Sequence, residues 1–311
     1  MVPGCIGIGR ATPRPGELRR TGRDGYTWAR MSFLRHIRAC NAHDLSRYRP
    51  FLVAGTPVGW VAEAFARRLA ALGRPFEETD AGIALSPSLS GFGERTAAMA
   101  DAVERLVRDR AVHKLRGELY PVLTRWGAEP LMAVDRAAVP YFGLKSFGLH
   151  VNGYVRRKDG LHLWVGRRSS DRGVAPGKLD NLVAGGQPLG LTLEENLVKE
   201  AREEADLPPE LALRSVPVGA ITYMMENERG LKPDTLFCFD LELEEGFVPR
   251  NTDGEVEAFT LWPVAEVAES VRTTDDWKFN VNLVVIDFLV RHGQLRPTDP
   301  DYLDIVTGLR R

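Results

Sequence analysis

Between Asn181 and Leu207 the chain reads NLVAGGQPLGLTLEENLVKEAREEADL. The order is a short apolar strand, two adjacent glycines, a loop through Pro188 and Gly190, and a helix with both ends written in the sequence. Thr192 with Glu195 three residues on forms a capping box, which starts the helix near Leu193. Pro208 and Pro209 stop it, because proline has no N–H to continue the ladder. Inside the helix Glu200, Glu203 and Glu204 are spaced i, i+3 and i+4. At 100° per residue they share an arc of about 100°, beside an apolar stripe of Leu197, Val198, Ala201 and Ala205. Three carboxylates converging at the edge of a buried stripe repel one another unless a cation sits among them. Hard divalent cations take oxygen ligands, and magnesium takes a few carboxylates together with water and substrate phosphate. The competing account of the helix alone is a solvated face balanced by Lys199 and Arg202.

The flanking sequence supplies a sheet. Leu149–Arg157 alternates as a strand, Asp159-Gly160 is a two-residue hairpin signal, and Leu161–Arg168 returns as its partner. Gly173–Lys178 imitates a phosphate-binding P-loop but is one residue short, carries Leu179 where Ser or Thr is needed, and lacks the strand–loop–helix setting. Arg167, Arg168 and Lys178 flank the strand that runs towards Gly185 and are the candidate phosphate contacts.

Double glycine, capped helix and clustered glutamates together resemble the Nudix box, the signature of Nudix hydrolases. Gly185 is followed by Leu191 where Glu is usual, then by Lys199-Glu200-Ala201-Arg202-Glu203-Glu204-Ala205-Asp206-Leu207. The three metal-binding glutamates match. Leu191 replaces Glu, Lys199 replaces Arg and keeps the charge without the fork, and Asp206 replaces a helix-ending Gly, a place Asp tolerates better than most residues. HVNGYV (His150–Val155), LWVGRRS (Leu163–Ser169), RGLKPDTLFCFDLEL (Arg229–Leu243) and PRNTDGEVEAF (Pro249–Phe259) resemble one subgroup. It comprises the Nudix half of fungal thiamin pyrophosphokinase fusions and related plant Nudix enzymes, whose preceding domain of unknown function residues 33–145 also resemble.

The resemblance implies an α+β Nudix fold, a mixed sheet between helices, over residues 147–311, preceded by a smaller α+β domain over residues 31–146. It implies magnesium, with manganese as the alternative, on Glu200, Glu203 and Glu204, and water attack at phosphorus of a small-molecule diphosphate held at Gly185 and Gly186. Metal-bound water is acidified and the phosphoryl charge neutralised in such chemistry. Glu203 and Glu204 are thereby catalytic candidates, joined by a later carboxylate. Glu255 and Glu257 share a strand face by the period of two, and Glu255 is preferred. Thiamin-diphosphate-like or damaged-cofactor diphosphates are the expected substrates and oxidised nucleoside diphosphates the alternative. Leu191 motivates a reading from another class, a Nudix-fold sensor that binds a diphosphate without turnover.

The rest of the chain carries no such constellation. Apolar runs at Phe51–Ala54 and Val58–Val61 read as strands with Gly59 at a turn or bulge, Ala62–Leu72 as an amphipathic helix stopped by Gly73, and Glu94–Val112 as the longest helix. This half gives organisation but no chemistry. Residues 1–30, with six glycines and three prolines, read as a disordered tail or a start-site artefact; a targeting peptide fits poorly without an apolar core or an amphipathic helix. The six histidines show no ligand spacing, and Trp164, Tyr223 and Phe239 read as core, with ring stacking on a substrate as the alternative. Lys and Arg number 41 against 42 Asp and Glu, so nothing advertises nucleic acid or a membrane surface. No apolar run is long enough to span a bilayer. Three separated cysteines read as free thiols in a reducing compartment, and a cytosolic location follows as the expectation. Oligomeric state is not legible.

Overall fold

The computed structural model describes residues 32–171 and 173–311; the expectation for residues 1–30 lies outside them. The first helix, α1 (Leu34–Cys40), precedes β1 (Tyr48–Val53) and β2 (Thr56–Ala62), which turn at Ala54 and Gly55, both at positive φ. Gly59 is not the turn. It lies inside β2 beside a register shift, where a Cβ would overlap the Phe142 carbonyl, and Trp60 N donates to that same carbonyl at 2.9 Å. Then follow α2 (Glu63–Leu72), β3 (Phe76–Thr79), β4 (Gly82–Leu85) and α3 (Phe92–Arg108). These strands form one sheet in the order β2-β1-β4-β3. A ribbon of β5 (Leu119–Val122) and β6 (Met132–Asp135) completes the N-terminal body. Its core joins Phe51, Leu69, Ile83, Met99, Leu106, Met132 and Phe142, all fully buried.

The second body begins with β7 (Ser146–Arg157) and β8 (Gly160–Arg168). Arg157 pairs with Gly160, so the hairpin loop is Lys158–Asp159 and Gly160, at positive φ, opens β8. The short β9 (Leu179–Asp180) and β10 (Val183–Gly186) lead into α4 (Leu193–Ala205) and α5 (Pro209–Ala212). Long β11 (Val216–Asn227) and β12 (Gly230–Glu242) are followed by β13 (Val256–Pro263), α6 (Val264–Thr273), α7 (Val281–Arg291) and α8 (Tyr302–Gly308). The sheet runs β11-β12-β7-β8-β13, with β10 on β7 and β9 on β8. It is mixed, because β12 pairs parallel with β7 while its other pairings are antiparallel.

Alternation along the strands sends side chains to two different cores. Leu149, Val151, Val155 and Trp164 meet Leu197, Ala201 and Ala205 of α4 on one face. Tyr154, Leu163 and Val165 meet α6 and α7 on the other. The expected sheet between helices is thereby present. Helix α1 belongs in space to the second of these cores: Phe33, Leu34, Ile37 and Cys40 pack with Ile305 and Leu309 rather than on the N-terminal sheet. Helix α1 therefore straps the two bodies together.

Candidate active site

The strand–glycine–helix unit is fastened at every joint. Thr192 Oγ1 accepts from Glu195 N, and Glu195 Oε2 accepts from Thr192 N at 2.8 Å, the reciprocal capping box. The helix ends at Asp206, which takes the left-handed conformation at φ 54°. Asn196 sits under the loop, where its Nδ2 donates to the Gly186 carbonyl at 2.8 Å. Gln187 Nε2 donates to the Leu191 carbonyl at 2.7 Å. The loop's shape thus comes from two buried amides, and the half-buried Leu191 side chain is not needed to set it.

Gly185 faces α4. A Cβ there would collide with the Glu200 carboxyl, whose Oε2 lies 2.8 Å from that position. Glu204, 6% exposed, accepts from Ala184 N at 2.7 Å through Oε2. Burial pushes the Glu204 carboxyl well above the usual carboxylate range; the Ala184 N–H opposes this, and the charges of Glu200, Asp180 and Glu255 add to it. Glu200 is also raised, by burial first, with Glu203 and Glu118 adding and Lys199 opposing. Lys199 Nζ donates to Glu200 at 3.0 Å and to Glu203 at 2.7 Å, and stands as the cation among the carboxylates.

A divalent ion fits this donor set. The ligands are hard oxygens, and Gly185 leaves room for the Glu200 carboxyl beside Glu204. Among the described residues no three such side chains already surround one point. Lys199, partly exposed, would have to swing aside from Glu200 and Glu203.

The loop that carries Glu255 is docked on the helix end. Thr252 Oγ1 donates to the Glu203 carbonyl at 2.7 Å and Arg250 N to the Ala205 carbonyl at 3.2 Å. Ser169 N holds the Glu255 carbonyl at 2.9 Å. Glu255 is close enough for its charge to act on Glu204. The shared strand face expected for Glu255 and Glu257 is absent, because β13 begins after Glu255 and its register shifts between Val256 and Ala258. Glu257 is exposed.

The three candidate phosphate contacts are engaged elsewhere. Arg168, buried, donates to Asp180 Oδ2 at 2.7 Å and to the Val174 carbonyl. Lys278 reaches the same Asp180 oxygen at 3.2 Å. Burial works against the Asp180 carboxylate, but Lys278, His150 and Arg168 outweigh it and hold the group below its ordinary range. Arg167 donates to the Gly177 carbonyl at 3.0 Å and Lys178 to the Asp275 carbonyl at 2.7 Å. Trp164, Tyr223 and Phe239 are buried as core. Trp126 is an exposed ring whose centroid lies 4.8 Å from Phe147 and 4.7 Å from Phe237.

The N-terminal body, without a catalytic constellation of its own but expected as a domain that could complete or cover the substrate pocket, reaches this site. Leu189 N donates to the Leu119 carbonyl at 2.8 Å, joining the glycine loop to β5. A Cβ on Gly186 would overlap the Tyr120 hydroxyl. Glu118 and Arg136 flank Tyr120 and lie within electrostatic reach of Glu200. Nothing in the local sequence marks these residues, since their role arises only from docking.

Both bodies have relatives among known proteins. Residues 32–146 match the family model described as a domain of unknown function, DUF4743. The chain is 43% identical over 282 residues to Nudix hydrolase 24, chloroplastic, of Arabidopsis thaliana, covering 89% of this chain and 77% of that protein. It is 40% identical over 306 residues to Nudix hydrolase 20, chloroplastic, of the same plant, covering 94% and 82%. The Nudix domain of Shewanella oneidensis NrtR, solved with ADP ribose, is 13% identical with a TM-score of 0.38, covering 50% of this chain and 91% of that one. The two chloroplast relatives overturn the cytosolic expectation. Cys40 and Cys238 are buried free thiols, which do not tell one compartment from another.

Proposed function

This chain belongs to the Nudix hydrolase family, a group of diphosphate-cleaving hydrolases, and on that premise we propose that it is a magnesium-dependent hydrolase of a thiamin-diphosphate-like or damaged-cofactor diphosphate. Manganese is the alternative ion and oxidised nucleoside diphosphates are the alternative substrates. The observation that carries the reading is the Glu200 carboxyl packed against Gly185 beside buried, amide-held Glu204. Such a cluster costs stability in an apo chain and has a use when charge must be gathered around a phosphorus centre.

Glu200, Glu203 and Glu204 would hold the ion, which when bound supplies charge neutralisation and acidifies water. The protein's own residues do the rest. Ala184 N fixes the Glu204 carboxylate in one orientation, so that no reorganisation is needed at the moment of reaction. Gly185 makes room for the Glu200 carboxyl and Gly186 for the Tyr120 hydroxyl, space that any side chain would take, and a diphosphate would be held along this edge. Glu255, whose charge acts on Glu204, would take the proton from attacking water.

A panel of diphosphates, thiamin diphosphate and its oxidised forms among them, assayed for released phosphate with and without magnesium, tests this reading. Metal-dependent release from a thiamin-type diphosphate supports it. Preferential release from oxidised nucleoside diphosphates moves the substrate assignment, and tight metal-dependent binding without release supports the sensor.

A further inference from the structure

Arg168 is buried on Asp180, and Arg167 and Lys178 donate to backbone carbonyls; another cation stands beside the glycine loop itself. Arg136 follows β6 of the N-terminal body, half-exposed, with Nη1 on Glu118 Oε2 at 2.9 Å. Its guanidinium carbon lies 5.5 Å from the centroid of the Tyr120 ring. It lies 3.5 Å from the point a Cβ on Gly186 would occupy. The frame around it is rigid: Arg136 N donates to the Glu118 carbonyl at 2.8 Å, and β5 is tied to the loop through Leu119 and Leu189.

We propose that Arg136 is a substrate-binding residue, contacting the phosphate oxygens of the diphosphate at Gly186, so that the N-terminal body completes the active site. This rests on the hydrolase reading of the glutamate cluster. The chemistry is that of exchange between like partners. A guanidinium fork matches carboxylate and phosphate oxygens alike, and Glu118 holds the fork in place until a phosphate replaces it. A diphosphate entering beside Glu200, Glu204 and Glu255 needs positive charge besides a metal ion, and Arg136 supplies it from the side opposite α4. The Tyr120 hydroxyl fills the space beside Gly186, and the Arg136 fork lies just beyond it.

The test uses the full chain and methylenediphosphonate, a diphosphate that cannot be hydrolysed, titrated calorimetrically in magnesium. Magnesium alone is titrated in parallel. Arg136→Ala is expected to weaken methylenediphosphonate binding by about tenfold or more, and Arg136→Lys to recover part of the loss. Magnesium affinity and melting should stay near those of the wild type. For whichever diphosphate the wild type cleaves, KM should rise more than kcat falls. Should Arg136→Ala fold poorly, Glu118→Gln serves in its place: freeing the fork is expected to tighten binding about threefold. Methylenediphosphonate affinity within about twofold of wild type in Arg136→Ala, or unchanged in Glu118→Gln, overturns the proposal. A wild type that binds methylenediphosphonate through Arg136 but cleaves no diphosphate leaves the proposal standing and sinks the hydrolase reading. A wild type that cleaves a diphosphate with KM indifferent to Arg136→Ala does the reverse.

Discussion

The backbone amide of Ala184, in the strand that ends in the two glycines, donates to Oε2 of Glu204 at 2.7 Å. One hydrogen bond thus couples the strand that carries Gly185 to the helix that carries the carboxylates. It orients Glu204 although burial raises its proton affinity, and it makes the site a property of the strand–helix pair rather than of the helix alone.

Replacing Glu203 or Glu204 by Gln removes one charge without changing volume. Each change is expected to lower kcat by about a hundredfold or more with the fold intact, since each removes an anionic ligand candidate. Glu204→Gln should melt no lower than the wild type in the absence of metal, because its amide oxygen can still accept from Ala184 and the buried charge is gone. Phosphate release at saturating magnesium and a melting curve check both statements. Activity within a few-fold of wild type in both variants would mean that the site lies elsewhere.

Gly185→Ala probes the same cluster from the strand side. Its φ is unexceptional, so the cost is steric, and it falls on the Glu200 carboxyl. The variant is expected to lose about tenfold or more in kcat by displacing Glu200, while losing only about 1–2 kcal/mol of stability, because a side-chain end can move where backbone cannot. A kcat indistinguishable from wild type would show that the position of Glu200 does not matter.

His150 sets an acid limit on stability. Burial, and after it the charge of Lys278, hold its imidazole down to about 4 from the usual 6.5. Asn181 Nδ2 donates to Asn152 at 2.8 Å, so its Oδ1 is left to accept from His150 Nδ1, and the neutral tautomer protonated there fits. With a depressed folded-state value, the stabilisation is fully present above the unfolded value and is lost as pH falls from about 6.5 to about 4. The loss should amount to about 3 kcal/mol. Urea unfolding between pH 7 and pH 4 should show this decline in the wild type and lack it in His150→Gln. An equal decline in both would assign the acid sensitivity to other groups.

How far the site could be read from sequence depends on the range of each interaction. The capping box, the glycine pair, the Asp206 helix end and the glutamate arc are local, and local spacing is enough to place them. Glu255 was reachable through the resemblance, although a register shift in β13 defeats the alternation used to pair it with Glu257. The hairpin was visible but set one residue late, because Gly160 serves as the first strand residue instead of a turn residue. Arg136, Tyr120, Asp180 and Lys278 were not legible. Each acts on a partner far away in sequence, and an arginine beside a surface turn looks the same whether or not another body docks over it.

Leu191 separates this chain from the general box, and its surroundings set the expected cost of changing it. The side chain is half-buried and the loop is held through the Leu191 carbonyl by Gln187. Leu191→Ala should therefore cost about 1 kcal/mol, the low end for an aliphatic truncation, with magnesium affinity and kcat near normal. Leu191→Glu restores the general pattern but sets a carboxylate at a partly apolar position close to an acidic cluster, with Lys199 already engaged by Glu200 and Glu203. It is expected to lower melting and not to raise turnover. Melting temperature, magnesium titration and kcat for the wild type and both variants decide the matter. A Leu191→Glu protein with unchanged melting and about a tenfold gain in kcat would show that the natural site is a weakened one, and would favour a diphosphate sensor over an enzyme.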